Sequence, residues 1–162
     1  MALPSRAVIL QDNNLRRPSL PGDGLLGVPI FGQLTTAAAA ATITAALMAS
    51  GGVSRTGSTA ASTDTLDTAL AIAQAFASMQ INEVLTVEYT VQVGFASTIA
   101  VGAGITNVGA AANLIIPANS TKKLYLTLTS KTTTTAFIAA GLVGAGQPVI
   151  TVTAATYNLL VV

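Results

Sequence analysis

Residues Leu85–Phe95 read L-T-V-E-Y-T-V-Q-V-G-F. Leu85, Val87, Tyr89, Val91, Val93 and Phe95 are apolar, while Thr86, Glu88, Thr90, Gln92 and Gly94 between them are polar or glycine. Successive side chains of a strand point to opposite faces, so this alternation makes one dry face and one wet face. At ~3.3 Å per residue the run predicts a strand of roughly 36 Å. A single dry face needs a second layer to cover it, and antiparallel sheets commonly have this one-sided character. The stretch therefore predicts a mainly β fold in which two layers close on a core.

Downstream, Thr121–Thr129 alternates again, with Leu124, Leu126 and Leu128 inward and Lys123, Tyr125, Thr127 and Thr129 outward. The turn signal Pro117–Ala118–Asn119–Ser120 precedes it. Short strands are expected at Thr98–Val101, Gly104–Val108 and Asn113–Ile116, and two more at Val149–Thr153 and Tyr157–Val162. Lys131–Thr135 reads as a loop, and Phe137–Gln147 is glycine-rich with no regular pattern. Upstream, Asp64–Gln80 predicts the one helix. Asp64 would cap it, Asp67 would sit in its first turn, and Leu66, Ala69, Leu70, Ala73, Phe76 and Ala77 would form its apolar stripe. In the Ala/Thr-rich segment before it, Thr35–Thr44 reads as a strand, Ala45–Ser50 as a helical turn and Gly52–Arg55 as a short strand. The expected architecture is an antiparallel β-sandwich or jelly-roll-like domain over residues 35–162, with one helix at about 64–80.

Residues 1–34 differ in texture. They hold Pro4, Pro18, Pro21 and Pro29, which oppose regular helix and central strand. They are nevertheless too apolar for an ordinary linker. The combination predicts an extended N-terminal arm ordered by lying on another surface, and 34 residues reach roughly 110 Å when extended. The expected contact residues are Arg6, Val8, Ile9, Leu10, Leu15, Arg16, Arg17, Leu25, Leu26, Val28, Ile30 and Phe31.

Composition narrows the function. Of 162 residues only 8% are charged, against ~25% in ordinary soluble domains. A surface of Thr, Ser, Ala and Gly suits a protein packed against copies of itself or against a larger shell. A net charge of +1, with Lys and Arg scattered, offers no field for nucleic acid. The uncharged stretches Gly24–Ser54, Tyr89–Thr121 and Thr132–Val162 are long enough to span a bilayer, but Gly, Pro, Thr and Asn interrupt each one, so no membrane partner is expected. The start M-A-L-P-S-R lacks the basic region of a secretory signal.

Chemistry-bearing motifs are scarce. The chain has no Cys and no His, which removes thiol nucleophiles, thiolate metal sites and the commonest general base. Gly102–Ala103–Gly104 reads as a tight turn and not as a dinucleotide fingerprint, because Asn107 stands at the third glycine position. Asn119–Ser120–Thr121 is formally a glycosylation sequon but spells a turn. Asp64 and Asp67 are explained by capping, and no acid pair has a base or nucleophile beside it. The expectation is a protein with no catalytic residues, cofactor or metal.

Several segments occur in a suggestive order: T-A-A-L-M-A-S-G-G-V-S-R-T-G (Thr44–Gly57), T-A-A-S-T-D-T-L-D-T-A-L (Thr59–Leu70), the long strand, I-A-V-G-A-G-I-T-N-V-G (Ile99–Gly109) and I-P-A-N-S-T-K-K-L-Y-L-T-L-T (Ile116–Thr129). This succession, over roughly residues 42–130, resembles a small β-domain of tailed-bacteriophage structural proteins, especially capsid decoration (cement) proteins and head fibres. The resemblance implies a homotrimer on the outer capsid surface of a virion, assembled in the host cytoplasm, with the major capsid protein as partner. It implies capsid stabilisation by bridging neighbouring capsomers and carries over no catalytic residues. Two other expectations stand beside it: a fibre or tail module binding host-surface glycan, and a self-assembling lattice or filament subunit.

Overall fold

The computed structural model describes residues 32–35, 40–139, 144 and 146–162. In chain order the elements are β1 (Gly32–Thr35), β2 (Ala40–Ile43), α1 (Ala45–Met48), β3 (Gly52–Thr56), β4 (Ser62–Leu66), α2 (Ala69–Ala75), β5 (Val84–Val91) and β6 (Ser97–Ala100). Then come β7 (Ile105–Asn107), a 3-10 turn (Ala111–Leu114), β8 (Ile115–Ile116), β9 (Ser120–Phe137) and β10 (Pro148–Val161). They form two sheets, one ordered β1-β3-β5-β9-β10-β7 and the other β2-β4-β6-β8. The fold is the mainly β, sandwich-like one that the alternating runs predict.

From β1 to β8 every successive strand enters the opposite sheet. Up to β6, neighbours within each sheet are two strands apart in sequence, and β1/β3, β3/β5, β2/β4 and β4/β6 pair in parallel, as β7 does with β10 at the far margin. Parallel neighbours need a long crossover. Here each crossover is a strand of the other sheet plus a short helix, so the first half of the chain winds as a flattened coil. Antiparallel pairing is confined to β5/β9, β9/β10 and β6/β8. Both sheets are thus mixed, which strand patterning alone does not reveal, because alternation places a strand without choosing its neighbour.

The dry face of Leu85–Phe95 is real as far as Val91: Val87, Tyr89 and Val91 are fully buried. The strand stops there, because the chain turns through Gln92–Ala96 to enter the other sheet as β6, leaving Phe95 exposed. Leu124, Leu126 and Leu128 face the same core. Each contributes about 1.5–3 kcal/mol by burial. Ile43, Leu66, Ile99 and Ile116 of the second sheet close that core, with Met48 and Ile72 from the two helices.

Several segments depart from expectation, and the expected strand Asn113–Ile116 is a 3-10 turn as far as Leu114 with strand only at Ile115–Ile116. The helix occupies Ala69–Ala75 and not 64–80, and Thr68, not Asp64, caps it by accepting the N–H of Ala71 at 3.1 Å. Ser62–Leu66 is a strand because S-T-D-T-L alternates with period two, sending Ser62, Asp64 and Leu66 inward. The expected loop Lys131–Thr135 is part of the 18-residue β9, where β-branched threonines suit a ladder. The last two strands are one, β10, which passes Ala154–Ala155 through register shifts at Val152/Ala154 and Thr156/Tyr157. Finally, Thr35–Thr44 divides into β1 and β2 of different sheets. β1 opens at Gly32, inside the segment read as arm.

The Gly102 turn anchors the coil. The Ile105 N–H donates to the Gly102 carbonyl at 3.1 Å, and a Cβ at Gly102 would lie 2.3 Å from the Asp67 carbonyl oxygen and 2.4 Å from that of Leu66. Those obstacles are backbone, so a side chain there must push β4 away from β6. Gly102→Ala is expected to lower unfolding stability by about 1–3 kcal/mol, read as a lower urea midpoint with unchanged slope.

Candidate functional site

Among the described residues the interior holds a polar cluster that spans the two sheets. Asp64, from β4, and Arg55, from β3, are both 0% exposed, with Arg55 Nη1 3.2 Å from Asp64 Oδ1. Asp64 Oδ2 accepts from the Tyr89 hydroxyl at 2.5 Å and from Ser97 Oγ at 2.7 Å, and those two hydroxyls lie 3.1 Å apart. Arg55 Nε donates to Ser58 Oγ at 2.7 Å. Val53, Arg55, Tyr89 and Val91 share one inward face through the β3/β5 register. Asp64 and Ser97 come from adjacent strands of the facing sheet. An ionised carboxylate can be buried in this way only because a guanidinium and two hydroxyls replace its water.

Sequence reasoning assigned Asp64 to a helix cap and left Arg55 among scattered cations. The available signal was phase: Arg55 shares parity with Val53 in V-S-R, and Asp64 shares parity with Leu66 in D-T-L. A charge in phase with core positions demands a buried counter-charge. Asp67 instead serves the helix starts, accepting the N–H of Ala45 at 3.1 Å and of Thr68 at 2.9 Å. Lys122 of the Lys122–Lys123 pair donates to the Asn113 carbonyl at 2.9 Å, tying down the 3-10 turn. Lys131 donates to the carbonyls of Ala77 and Met79 just past α2.

The outer surface offers a second feature. Beyond Lys131, β9 and β10 continue as a two-stranded ribbon in which Thr132–Phe137 pair with β10 alone among the described residues. Cross-strand partners share a face, so Val152, Ile150 and Pro148 lie on the face of Thr133, Thr135 and Phe137. At Val152 that face is buried, and Gln74 of α2 donates to the Val152 carbonyl at 3.0 Å. Farther out it is bare, with Ile150 64% and Phe137 68% exposed. No charged residue follows Lys131 in the sequence.

The twelve expected contact residues, Arg6 to Phe31, lie outside the described residues. Among the described residues no three His, Cys, Asp or Glu side chains gather as a metal site, and no helix is long and apolar enough to cross a membrane. Comparison with known proteins finds no matching family model, no matching curated protein and no matching solved structure.

Two outcomes follow for the buried cluster. Removing one charge leaves the other buried and unpaired, so Asp64→Ala is expected to cost about 3–5 kcal/mol, while Arg55→Met combined with Asp64→Leu costs far less or nothing. Denaturant unfolding of the single and double variants checks this. Burial, and then the hydrogen bond to Asp64, push the Tyr89 phenol far above its ordinary 10.0, and burial raises Tyr157. Unfolded tyrosine ionises near 10, so between that value and the folded one the native state holds more protons. Stability is therefore fully present below pH 10 and falls as pH rises above it. The alkaline decline is expected to be shallower in Tyr89→Phe, measured by unfolding free energy across that range.

Proposed function

We propose that this chain is a non-enzymatic structural protein of a virus particle, a capsid decoration protein that seats on the outer shell as a homotrimer. The observation that carries the reading is the projecting β9–β10 ribbon, whose exposed Phe137 and Ile150 stand on a surface almost free of charge. An apolar face left bare by the described residues fits a protein whose working state is assembled. The succession of segments between Thr44 and Thr129, with its likeness to phage head proteins, supports the same reading.

In this mechanism the two-sheet body acts as a rigid block, because the buried Arg55–Asp64–Tyr89–Ser97 cluster and the core around it hold the sheets in one register. The arm and the ribbon supply contacts to neighbours, so that one molecule bridges capsomers. Attachment through two segments of one chain raises the effective concentration of the second contact. Binding only to the assembled shell then stabilises that shell by mass action.

Light scattering of the purified full-length chain is expected to give a closed species of three times the 16.2 kDa chain mass. That species is expected to co-sediment with undecorated tailed-phage capsids, and deletion of residues 1–34 should abolish capsid binding. Open-ended polymers without capsids would replace this reading with a lattice subunit. Binding on a glycan array without capsid binding would replace it with a fibre module.

A further inference from the structure

Among the described residues the ribbon has an open edge as well as a bare face. Up to Leu128, β9 has a neighbour on its β5 side: the β5 ladder runs from Ser120 to Thr127, and Leu128 exchanges backbone hydrogen bonds with Asn82 and Glu83. From Thr132 to Phe137 the described ladder partner is β10 alone. Every side chain from Thr132 to Phe137 is exposed. Alternate N–H and C=O groups along such a stretch point away from β10, and T-T-T-T-A-F combines high β propensity with no Pro. Folded proteins ordinarily cover, charge or bend an edge of this kind. Lys131 guards only its beginning.

The chain preceding β1 is placed to supply the cover. Gly32 is level with Val53, Val53 with Tyr89, and Tyr89 with Lys122. β1, β3 and β5 are parallel, and β9 is antiparallel to them. The segment before Gly32 therefore joins the six-stranded sheet from the end toward which the ribbon projects. Thr134 lies about 40 Å beyond Lys122 along β9, and β1 and β9 are three ladders apart, about 14 Å. Within residues 1–31, Ser5–Arg17 is the stretch uninterrupted by Pro or Gly, and it contains V-I-L at Val8–Leu10. Pro has no N–H to donate to a ladder, so this is the part of the arm suited to strand addition. From Gly32 back to Val8 the chain reaches roughly 80 Å, about twice the distance to its own ribbon. That surplus leaves chain enough for the ribbon of an adjacent copy, and a chain with only 8% charged residues suits contact between copies.

We infer that the Val8–Leu10 segment of one copy adds as a strand to the open Thr132–Phe137 edge of a second copy, linking chains by exchange of arms. This deepens the decoration reading by naming where one copy grips the next. It is tested without capsids, so either idea can fail alone. The cysteine-free chain makes the test direct. Full-length Ile9→Cys is mixed with full-length Thr134→Cys, and separately with Thr86→Cys on the outer face of β5, under mild oxidation. The expected result is an interchain disulfide at least tenfold faster with Thr134→Cys than with Thr86→Cys. Equal rates, no disulfide, or only an intrachain bond in the Ile9→Cys/Thr134→Cys double variant would overturn the exchange.

Amide hydrogen exchange gives an independent readout. Ile9→Pro removes one N–H donor from the added strand and changes none of the described residues. It is expected to speed exchange across Thr132–Phe137 at least tenfold with the β5 amides unchanged. Identical exchange in the two full-length proteins would overturn the assignment.

Discussion

The ion pair between Arg55 and Asp64 is the constraint on which the sandwich depends. The two residues sit on consecutive strands that belong to opposite sheets, so their contact crosses the core instead of running along a ladder. A one-residue slip of β4 would turn Asp64 to solvent and strand Arg55 in an apolar interior. Such a pair contributes little compared with well-packed apolar replacements, yet breaking it is costly. Its effect is therefore on register, and Tyr89 and Ser97 extend that effect by fixing the position of the carboxylate.

The two halves of the molecule solve the edge problem differently. In the coiled half, short strands alternate between sheets and each helps to cover its predecessor. In the second half, β9 and β10 outrun the body, and over Thr132–Phe137 they pair only with each other among the described residues. The first arrangement makes a compact block with small residues outside. The second carries exposed Phe137 and Ile150 beyond it, on backbone that no third described strand pairs. A chain with few charges thus concentrates its means of association at one end.

What was legible followed from local period. The alternation in Val87–Val91 and Leu124–Leu128, the turn at Pro117–Ser120 and the turn at Gly102–Gly104 were all readable from neighbours along the chain. Parallel pairing was not, because it depends on which strands a crossover brings together. The Asp64 error has a simple cause: in A-S-T-D-T-L-D-T-A-L both a helical stripe and a strand alternation can be drawn, and a charged residue favours the exposed reading. Only Arg55, on a strand of the other sheet, reverses that preference. The strand character of Lys131–Thr135 was hidden because a polar run reads as loop unless its threonines are weighed for β-branching. The ribbon was invisible for the same reason, since its importance lies in what does not cover it.

The position of β1 has a mechanical consequence. It pairs with β3 through only four residues and lies at the sheet margin, whereas β10 is flanked on both sides. Tension applied along the strand direction through Gly32 loads the hydrogen bonds of the β1/β3 ladder together, in shear. Tension applied across the sheet would open them one after another. The attachment of the first strand is therefore direction-sensitive: firm when pulled along the sheet, and easily unzipped when lifted from its edge.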